Sequence, residues 1–568
     1  MPRGKSHRVK ALADIARSFR IDSDADADPG RESHDNSDAA STHQSDRSET
    51  VGPRDAAATM LLKLGRSPSQ RVPITPEDDA RVLRRIDIAL LPLMLAVYFL
   101  QALDKATLSY ASVFGLIDDT GLRGDQFSWL SSVVYVAQLL TQLPFAWALV
   151  KLPIGRFTSV MVLGWGLTLT CMTWASRFPS LLAARFLLGA FEASIGPSFV
   201  AITQMWWRRR EQTMRIGSWY CMNGLTWVFG SLVTYGLASI ESPMKPYQII
   251  FLFFGLCTVA VSGIMYFWMP DSPVEAKFLS DDDKVIAIER LRDNQMGVMS
   301  REWRFDHFSE ALRDLKTWLW FAMIFCASVP SNGISTFGPL IIESFVSNPF
   351  QTMLFNVPVG ISHVVAVSTS AYVSMRWKLK GPIIALLCIP PIIGLTILLH
   401  VPHDKDHRGV LLFGYFCLST FTGITPLIYA WSAQNTAGDT KRKSTSAIVF
   451  IGASAGNIIG PLLFKPKEAP GYIRGLRLNI CFFVLIIFVA LVATIHLRRL
   501  NVTQQQKRRQ LGKTDLAIDP SLDRARGLGV AQAIRATEEE VGDSDDQYID
   551  KAFADATDLE NEDFVFVY

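Results

Sequence analysis

Residues 84–116 read RRIDIALLPLMLAVYFLQALDKATLSYASVFGL, and no charged residue occurs between Asp87 and Asp104. An apolar run of about 20 residues has the length that crosses the hydrocarbon core of a bilayer as a helix. The stretch therefore predicts a transmembrane helix over residues 87–110. This helix carries two adjacent charges, Asp104 and Lys105, in its second half.

Eleven further apolar runs follow, so the chain is expected to be an all-α integral membrane protein with twelve transmembrane helices. Of its 568 residues, 49% are hydrophobic and 19% are charged, and the charges gather before residue 85, in 271–316 and after Arg498. The remaining predicted spans are 128–150, 158–176, 180–206, 216–239, 248–269, 318–342, 353–374, 382–400, 410–433, 445–464 and 476–498. Six spans, a charged segment and six more spans indicate two similar halves with a substrate site between them.

These patterns predict five segments along the chain. They are a disordered cytoplasmic tail at 1–85, a six-helix half at 86–270, a central cytoplasmic loop at 271–317, a six-helix half at 318–498 and a cytoplasmic tail at 499–568. Residues 1–75 and 515–568 are rich in charge, so we expect little of them to pack into the helical body.

The central loop is expected to contain a short amphipathic helix. Ser280 and Asp283 form a capping-box pattern, and Val285, Ile288 and Leu291 follow at helical spacing.

Lys and Arg residues concentrate in alternate short loops, which places both termini in the cytoplasm. The basic residues after spans 2, 4, 8 and 10 are Lys151, Arg156, Arg208, Arg209, Arg210, Arg215, Arg376, Lys378, Lys380, Lys441, Arg442 and Lys443. One loop, with Lys465, Lys467, Arg474 and Arg477, departs from the rule.

Charged residues inside a span indicate function, because a charge in hydrocarbon is costly. Arg185 and Glu192 lie two helical turns apart, on one face of the fourth span. Arg185 can bind a substrate carboxylate through its planar guanidinium, and Glu192 can carry a coupling proton. The alternative is that both form structural pairs with neighbouring helices.

Four other ionisable residues are candidates. Lys105 is a candidate anion contact, and Asp104 is a candidate for gating or proton coupling, with different partners expected for the two. Glu343, which closes the seventh span, and His363, within the eighth, are further candidates for proton coupling or gating. His363 alternatively serves as a packed core side chain.

Asparagines near the centres of spans can hydrogen-bond a polar solute or a neighbouring helix. The candidates for substrate binding are Asn223, Asn332, Asn356 and Asn457. The sequence contains no Walker A loop, no HExxH motif and no zinc-finger spacing. We therefore expect no enzyme, cofactor, metal or nucleic-acid partner.

Several stretches resemble the major facilitator superfamily, and specifically its fungal allantoate permease group of anion:cation symporters. They are residues 84–116, GDQFSWL at 124–130, ARFLLGAFEAS at 184–194, MPDSPVEAKFL at 269–279, FNVPVG at 355–360 and QNTAGDTKRKSTSAIVFIGASAGNIIGPLLFKPKEAPGY at 434–472. KLPIGRF at 151–157 resembles the cytoplasmic gate motif of the superfamily, without its usual aspartate. Gln142 stands where many relatives carry glutamate.

The resemblance implies a secondary active transporter that takes up a small organic anion or amide-bearing nutrient together with protons. Allantoate, ureidosuccinate, nicotinate, pantothenate, biotin precursors and short peptides are the substrate range it implies. The expected partners are the substrate, protons and the bilayer, and the expected form is a monomer in the plasma membrane. Two alternatives are an exporter of a fungal secondary metabolite and a nutrient sensor that does not transport.

Overall fold

The computed structural model describes residues 60, 74–113, 116–123, 126–238, 240–292, 294, 302–343, 349–402, 407–464, 472–511 and 555–568. The helices of the first half are Pro76–Val113 (α1), Leu116–Thr120 (α2), Gln126–Lys151 (α3), Ile154–Cys171 (α4), Phe178–Glu192 (α5), Ile195–Trp206 (α6), Arg209–Tyr220 (α7), Met222–Leu225 (α8), Ser231–Ala238 (α9) and Pro246–Trp268 (α10). Short 3₁₀ and π segments, Met172–Trp174 and Thr226–Gly230, extend two of these spans.

Two helices follow in the central segment, and the second half repeats the pattern of long spans. The central helices are Asp281–Arg292 (α11) and Phe305–Arg313 (α12). The second-half helices are Leu315–Glu343 (α13), Pro349–Trp377 (α14), Gly381–Leu387 (α15), Ile389–His400 (α16), Arg408–Leu418 (α17), Ile424–Gln434 (α18), Asp439–Leu462 (α19) and Ile473–Gln510 (α20), with a 3₁₀ turn at Ser419–Gly423.

Helices cover every predicted span, which confirms the all-α membrane fold. Among the described residues, ten helices are long and apolar enough to cross a membrane. The two other predicted spans, 216–239 and 318–342, are also helical, and the first of them is interrupted by its π turn. The full count of twelve crossings stays a prediction.

The fourth span, predicted as one helix over 180–206, is broken between α5 and α6. Pro197 explains the break, because its ring has no N–H and clashes with the carbonyl of residue 193 four positions before it. Pro426 likewise lies four positions after residue 422, which belongs to the 3₁₀ turn of the tenth span. The interruptions thus occupy corresponding spans of the two halves, a pattern typical of substrate sites in transporters.

The amphipathic helix predicted in the central segment is α11, and its cap and buried face are as expected. The Asp283 N–H donates to Ser280 Oγ at 3.3 Å. Val285, Ile288 and Leu291 are buried. Helix α12 was not predicted.

The two halves meet at one end of the helical body, called here the tail face. It contains residues 206–215, the central segment, residues 432–443, the end of α20 and residues 555–568. Gln204 donates to the Ala433 carbonyl at 2.7 Å, and Gln434 donates to the Arg209 carbonyl and to Thr213 Oγ1. These bonds join the fourth and fifth spans to the tenth, so the structure is closed at the tail face.

The expectation that residues 515–568 do not pack into the helical body is wrong for residues 555–568. Phe564, Phe566 and Val567 are buried at the tail face. Helix α20 also continues twelve residues beyond the predicted end of its span at 498. Its extension supplies part of the surface on which residues 555–568 lie.

Close packing of α3 and α5 depends on Gly189, which gives the first test. A Cβ atom there would lie 2.4 Å from the Val134 carbonyl oxygen, a backbone atom that cannot move alone. We expect Gly189→Ala to destabilise the protein by about 1–3 kcal/mol through overpacking. Gly263→Ala is the matched control, since no atom lies within 4 Å of the new Cβ. Thermal unfolding of the detergent-solubilised protein measures the difference, and equal melting temperatures would contradict this account.

Candidate substrate site

Four ionisable side chains of the first half meet beside the break in the fourth span. Glu192 is the last residue of α5, Arg185 lies two turns before it, and Asp104 and Lys105 come from α1. The Lys105 Nζ lies 3.0 Å from Glu192 Oε1. The charge on Arg185 is coupled to Asp104 and Glu192. Two cations and two anions thus form one group, here called the charge cluster.

Asp104 and Lys105 have different partners, in agreement with their adjacent positions on a helix. Asp104 is 1% exposed and accepts hydrogen bonds from Trp165 Nε1 at 2.9 Å and from Thr107 Oγ1 at 3.2 Å. Lys105 pairs with Glu192 instead, and 42% of its side chain is accessible. A partly accessible lysine beside a fully buried carboxylate can contact a solute without leaving its partner.

Like Glu192, whose two carboxylate oxygens form no hydrogen bond among the described residues, Arg185 is incompletely satisfied. Its side chain is 3% exposed, and its Nε and Nη2 atoms have no hydrogen-bond partner among the described residues. A buried guanidinium that lacks acceptors is destabilising by several kcal/mol. A carboxylate of a bound solute would supply the missing acceptors in the two-pronged geometry that arginine favours.

Aromatic rings from both halves lie near the charge cluster. Tyr98 packs 4.8 Å from Trp219 and 5.8 Å from Tyr220, measured between ring centroids. Tyr220 is close enough to Lys105 for their charges to interact, and it hydrogen-bonds to Thr425 of the second half. Tyr429 of the second half is also near Tyr98 and Tyr220.

Gly196 brings the second half against the helix break. A Cβ atom there would lie 2.4 Å from the ring of Phe450, which stacks on Tyr429 at 4.7 Å. The sequence reasoning missed these aromatic residues because it looked for charges and amides. The pair of adjacent aromatic residues Trp219 and Tyr220 near the start of the fifth span was an available signal.

Only some of the predicted asparagines border this site. Asn223 does, since its amide lies 3.5 Å from the Tyr98 hydroxyl and donates to the Tyr220 carbonyl at 3.1 Å. Asn332 donates instead to the backbone carbonyl of Asn457 at 2.7 Å, so it joins α13 to α19 within the second half.

The remaining predicted coupling and binding residues are not shown to be part of the charge cluster. His363 packs against Phe421 at 6.2 Å, in contact with the fifth span through Gly224. The side chains of Glu343 and Asn356 lie outside the described part of the structure.

The helix break also explains Gln142. Its Nε2 atom donates at 3.1 Å to the Ala193 carbonyl, the group that Pro197 deprives of its helical partner. An ionised carboxylate at this position could not donate this bond. The amide therefore does permanently what a glutamate would do only when protonated.

The gate-like motif at 151–157 has no aspartate of its own, and Asp271 supplies a carboxylate to it. The Arg156 backbone N–H donates to Asp271 Oδ1 at 3.0 Å, and its guanidinium lies 3.2 Å from Asp271 Oδ2. Asp271 belongs to the segment after α10. The pair ties the loop between the second and third spans to the end of the sixth.

One sequence match to an enzyme motif has no catalytic geometry. Residues 452–456, GASAG, fit the GxSxG pattern of hydrolases but lie within helix α19. That pattern requires a sharp strand-to-helix turn. Here Gly452 and Gly456 allow α13 to pack closely against α19.

Comparison with known proteins identifies the family. The Major Facilitator Superfamily model matches residues 94–461. The chain belongs to the major facilitator superfamily. It is therefore a membrane transporter and not an enzyme, as the sequence predicted.

Two yeast transporters are similar to this chain over most of its length. The thiamine pathway transporter THI73 of Saccharomyces cerevisiae is 31% identical over 399 residues, 70% of this chain and 76% of that protein. The allantoate permease of the same yeast is 29% identical over 448 residues, 76% and 81% of the two chains. The resemblance to the allantoate permease group is thereby confirmed.

The structural comparison agrees with the family. The proton:xylose symporter XylE matches with a TM-score of 0.57 over 74% of this chain and 96% of that chain. At 11% sequence identity, this match shows the shared fold alone.

Gln142 gives a test of the helix break in this superfamily member. Gln142→Glu can donate to Ala193 only in its protonated form. We expect its melting temperature to fall as pH rises from about 5 to 8, while the wild type stays level over that range. Gln142→Met is the control, because it loses the donor at every pH without adding a titratable group. A pH-independent Gln142→Glu variant would contradict the role of the donated bond.

Proposed function

We propose that the protein takes up a small organic carboxylate together with a proton, by alternating access around the charge cluster. The observation that carries the proposal is Arg185, buried with two guanidinium nitrogens that have no partner among the described residues. The aromatic rings of Tyr98, Tyr220 and Tyr429 would pack on the rest of the solute. This combination fits a carboxylate that carries a planar amide, ureido group or heteroaromatic ring, such as allantoate, ureidosuccinate, nicotinate or pantothenate.

Proton coupling follows from the charge count of the cluster. Asp104 and Glu192 balance Lys105 and Arg185, so a bound anion alone would leave a net negative charge in a low-dielectric site. Protonation of Glu192 would release Lys105 from its 3.0 Å pair and restore neutrality when the anion binds. By linkage, the anion and the proton then each strengthen the binding of the other.

The closed tail face fits the first stage of such a cycle. We propose that both termini and the tail face are cytoplasmic, that the protein is a monomer, and that it works in the plasma membrane. In that orientation the structure is closed toward the cytoplasm. A solute then enters from the outside and leaves once the contacts between residues 204–213 and 433–434 separate.

Arg185 variants test the binding role. Arg185→Lys keeps the positive charge and loses the two-pronged geometry of the guanidinium, so we expect the apparent affinity for the carboxylate to fall about tenfold. Arg185→Gln loses both, and we expect uptake to fall by about 100-fold or more. Uptake of radiolabelled carboxylates by cells expressing each variant, with surface protein quantified, measures both effects.

A paired variant separates binding from folding. Arg185→Gln leaves Asp104 without a neighbouring cation, which by itself can destabilise the protein. Arg185→Gln combined with Asp104→Asn removes both charges and should recover stability without recovering uptake. Normal uptake by this double variant would refute anion binding by Arg185.

Glu192→Gln tests the coupling. The amide cannot exchange a proton, so we expect accumulation driven by a pH gradient to be lost, while exchange of labelled for unlabelled solute continues. Wild-type uptake should rise as external pH falls and collapse with a protonophore. If the variant still accumulates solute against a gradient, Glu192 does not carry the coupling proton. If wild-type uptake depends on a sodium gradient, the coupling ion is not a proton.

A further inference from the structure

Residues 555–568 form a segment that packs across the tail face, and it is here called the latch. Its sequence, DATDLENEDFVFVY, carries five acidic residues and no basic one. Asp558 is fully buried between two lysines of the second half. It pairs with Lys316, and its Oδ1 lies 2.9 Å from the Lys441 Nζ.

Asp558 is held in its ionised form. Burial opposes ionisation, but the charges of Lys316 and Lys441 outweigh it and lower the pKa of Asp558 to about 2. The contribution of a carboxylate with a lowered pKa is present above its unfolded value and is lost only as pH falls toward 2. The latch is therefore not released over the physiological pH range by this residue.

Two asparagines hold the backbone of the latch from opposite sides. Asn435 donates to the Val567 carbonyl at 2.9 Å and accepts from the Val567 N–H at 2.8 Å. Asn501 does the same with Phe566, at 2.8 Å for both bonds. The side-chain amides thus act as a neighbouring β-strand would, and they satisfy the buried backbone.

The latch binds QNTAGDTKRKS at 434–444, which is part of one of the stretches that resemble the allantoate permease group. The backbone N–H groups of Ala437 and Asp439 donate to Asp558 Oδ1 at 3.1 Å and to Asp555 Oδ1 at 2.7 Å. These amides open helix α19, whose partial positive end favours carboxylates. Gly438 has φ +86°, and a Cβ there would lie 3.3 Å from Thr557 Cγ2, so glycine makes room for the latch.

Arg209 connects the latch to the other half. Its guanidinium donates to the Gln434 carbonyl and, at 2.7 Å, to the Val565 carbonyl. It also lies 4.5 Å above the Phe564 ring. Arg209 begins α7 in the first half, whereas Gln434 and the lysines around Asp558 belong to the second. The latch therefore buries the arginine that bridges the halves where they must separate.

We propose that the latch is an autoinhibitory strap that holds the tail face closed, and that its release permits the site to open toward that face. The conformational part of this proposal rests on the contacts above, and its effect on uptake rests on the proposed function. Transport by alternating access requires the fifth and tenth spans to part at the tail face. With the latch in place, Arg209 would have to leave the Val565 carbonyl and the Phe564 ring as well as the Gln434 carbonyl.

Cys221 reports on this opening without any substrate. It is 8% exposed and lies at the interface between the halves, 3.4 Å from Ser368 Oγ of α14, and it does not touch the latch. The experiment measures alkylation of Cys221 by a maleimide in the purified full-length protein, by mass spectrometry. The same protein unfolded in dodecyl sulphate, where Cys221 is fully accessible, sets the maximum rate.

Three variants release the latch in different ways. Asp558→Asn removes its buried charge, Phe564→Ala with Phe566→Ala removes its rings, and a deletion removes residues 555–568. We expect each to raise the alkylation rate of Cys221 by about tenfold, the scale of one lost charged hydrogen bond. Glu560→Gln is the matched control, because Glu560 is half-exposed, its ion pair with His307 is long at 3.9 Å, and glutamine keeps an acceptor for the Thr557 N–H, so the rate should stay unchanged.

Addition of a synthetic peptide of residues 555–568 should restore protection to the deletion variant. That rescue distinguishes a strap from a segment that only stabilises the fold of the second half. Variants that melt earlier while Cys221 stays protected, or that proteolysis shows to be released without faster alkylation, would overturn the proposal.

Uptake measured in parallel keeps this proposal apart from the transport proposal. Faster Cys221 alkylation together with faster uptake supports both. Faster alkylation in a protein that takes up none of the tested carboxylates supports the latch and counts against the proposed function. Normal uptake with unchanged alkylation in all three variants retains transport and rejects the latch.

Discussion

The pairing of buried charges is the constraint on which this structure depends. Isolating one ionised group from water costs several kcal/mol, so each charge in the helical body needs a counter-charge or a dense set of hydrogen bonds. At the tail face this requirement is met by Arg290, which lies between Asp79 and Glu211, and by Arg209 between the halves. In the charge cluster it is met only in part, because Arg185 lacks partners for two of its nitrogens among the described residues. The incomplete pairing indicates where a ligand belongs.

The two regions are linked by the broken helices. Pro197 ends α5 beside Glu192, and Pro426 follows the 3₁₀ turn in the corresponding span of the other half. Broken helices supply free backbone groups and points of bending in the middle of a span. Gln142 satisfies one of these groups, so the break is stable and not a local defect. Helices α6 and α18 run from these breaks to the tail face, which they reach at Trp206 and Gln434.

The tail face also changes how the basic loops are understood. Their Lys and Arg residues follow the charge bias that orients membrane proteins, and that bias was the reason for the predicted topology. In the structure, however, Arg208, Arg209 and Lys441 are almost fully buried and paired. Of these, Arg209 joins the two halves through the Gln434 carbonyl, and all three have a structural role in addition to any role in orientation. Their acidic partners come from α1, the central segment and the latch, which are far apart in the sequence.

The sequence by itself determined the spans, the capped helix α11, the family and the four residues of the charge cluster. It could do so because apolar run length, capping and charge within a span are local properties. Only the tertiary structure decided that Lys105, and not Arg185, pairs with Glu192, since this depends on the rotation of α1 against α5. The latch was decided in the same way. The alternating aromatic and valine residues of FVFVY are apparent in the sequence. The surface that binds the latch is formed by three helices and the loop before α19, and it includes Asn435, Asn501, Lys316 and Lys441. The sequence of the latch alone does not reveal its partner. Its fourteen residues become buried only because a surface formed by distant parts of the chain covers them.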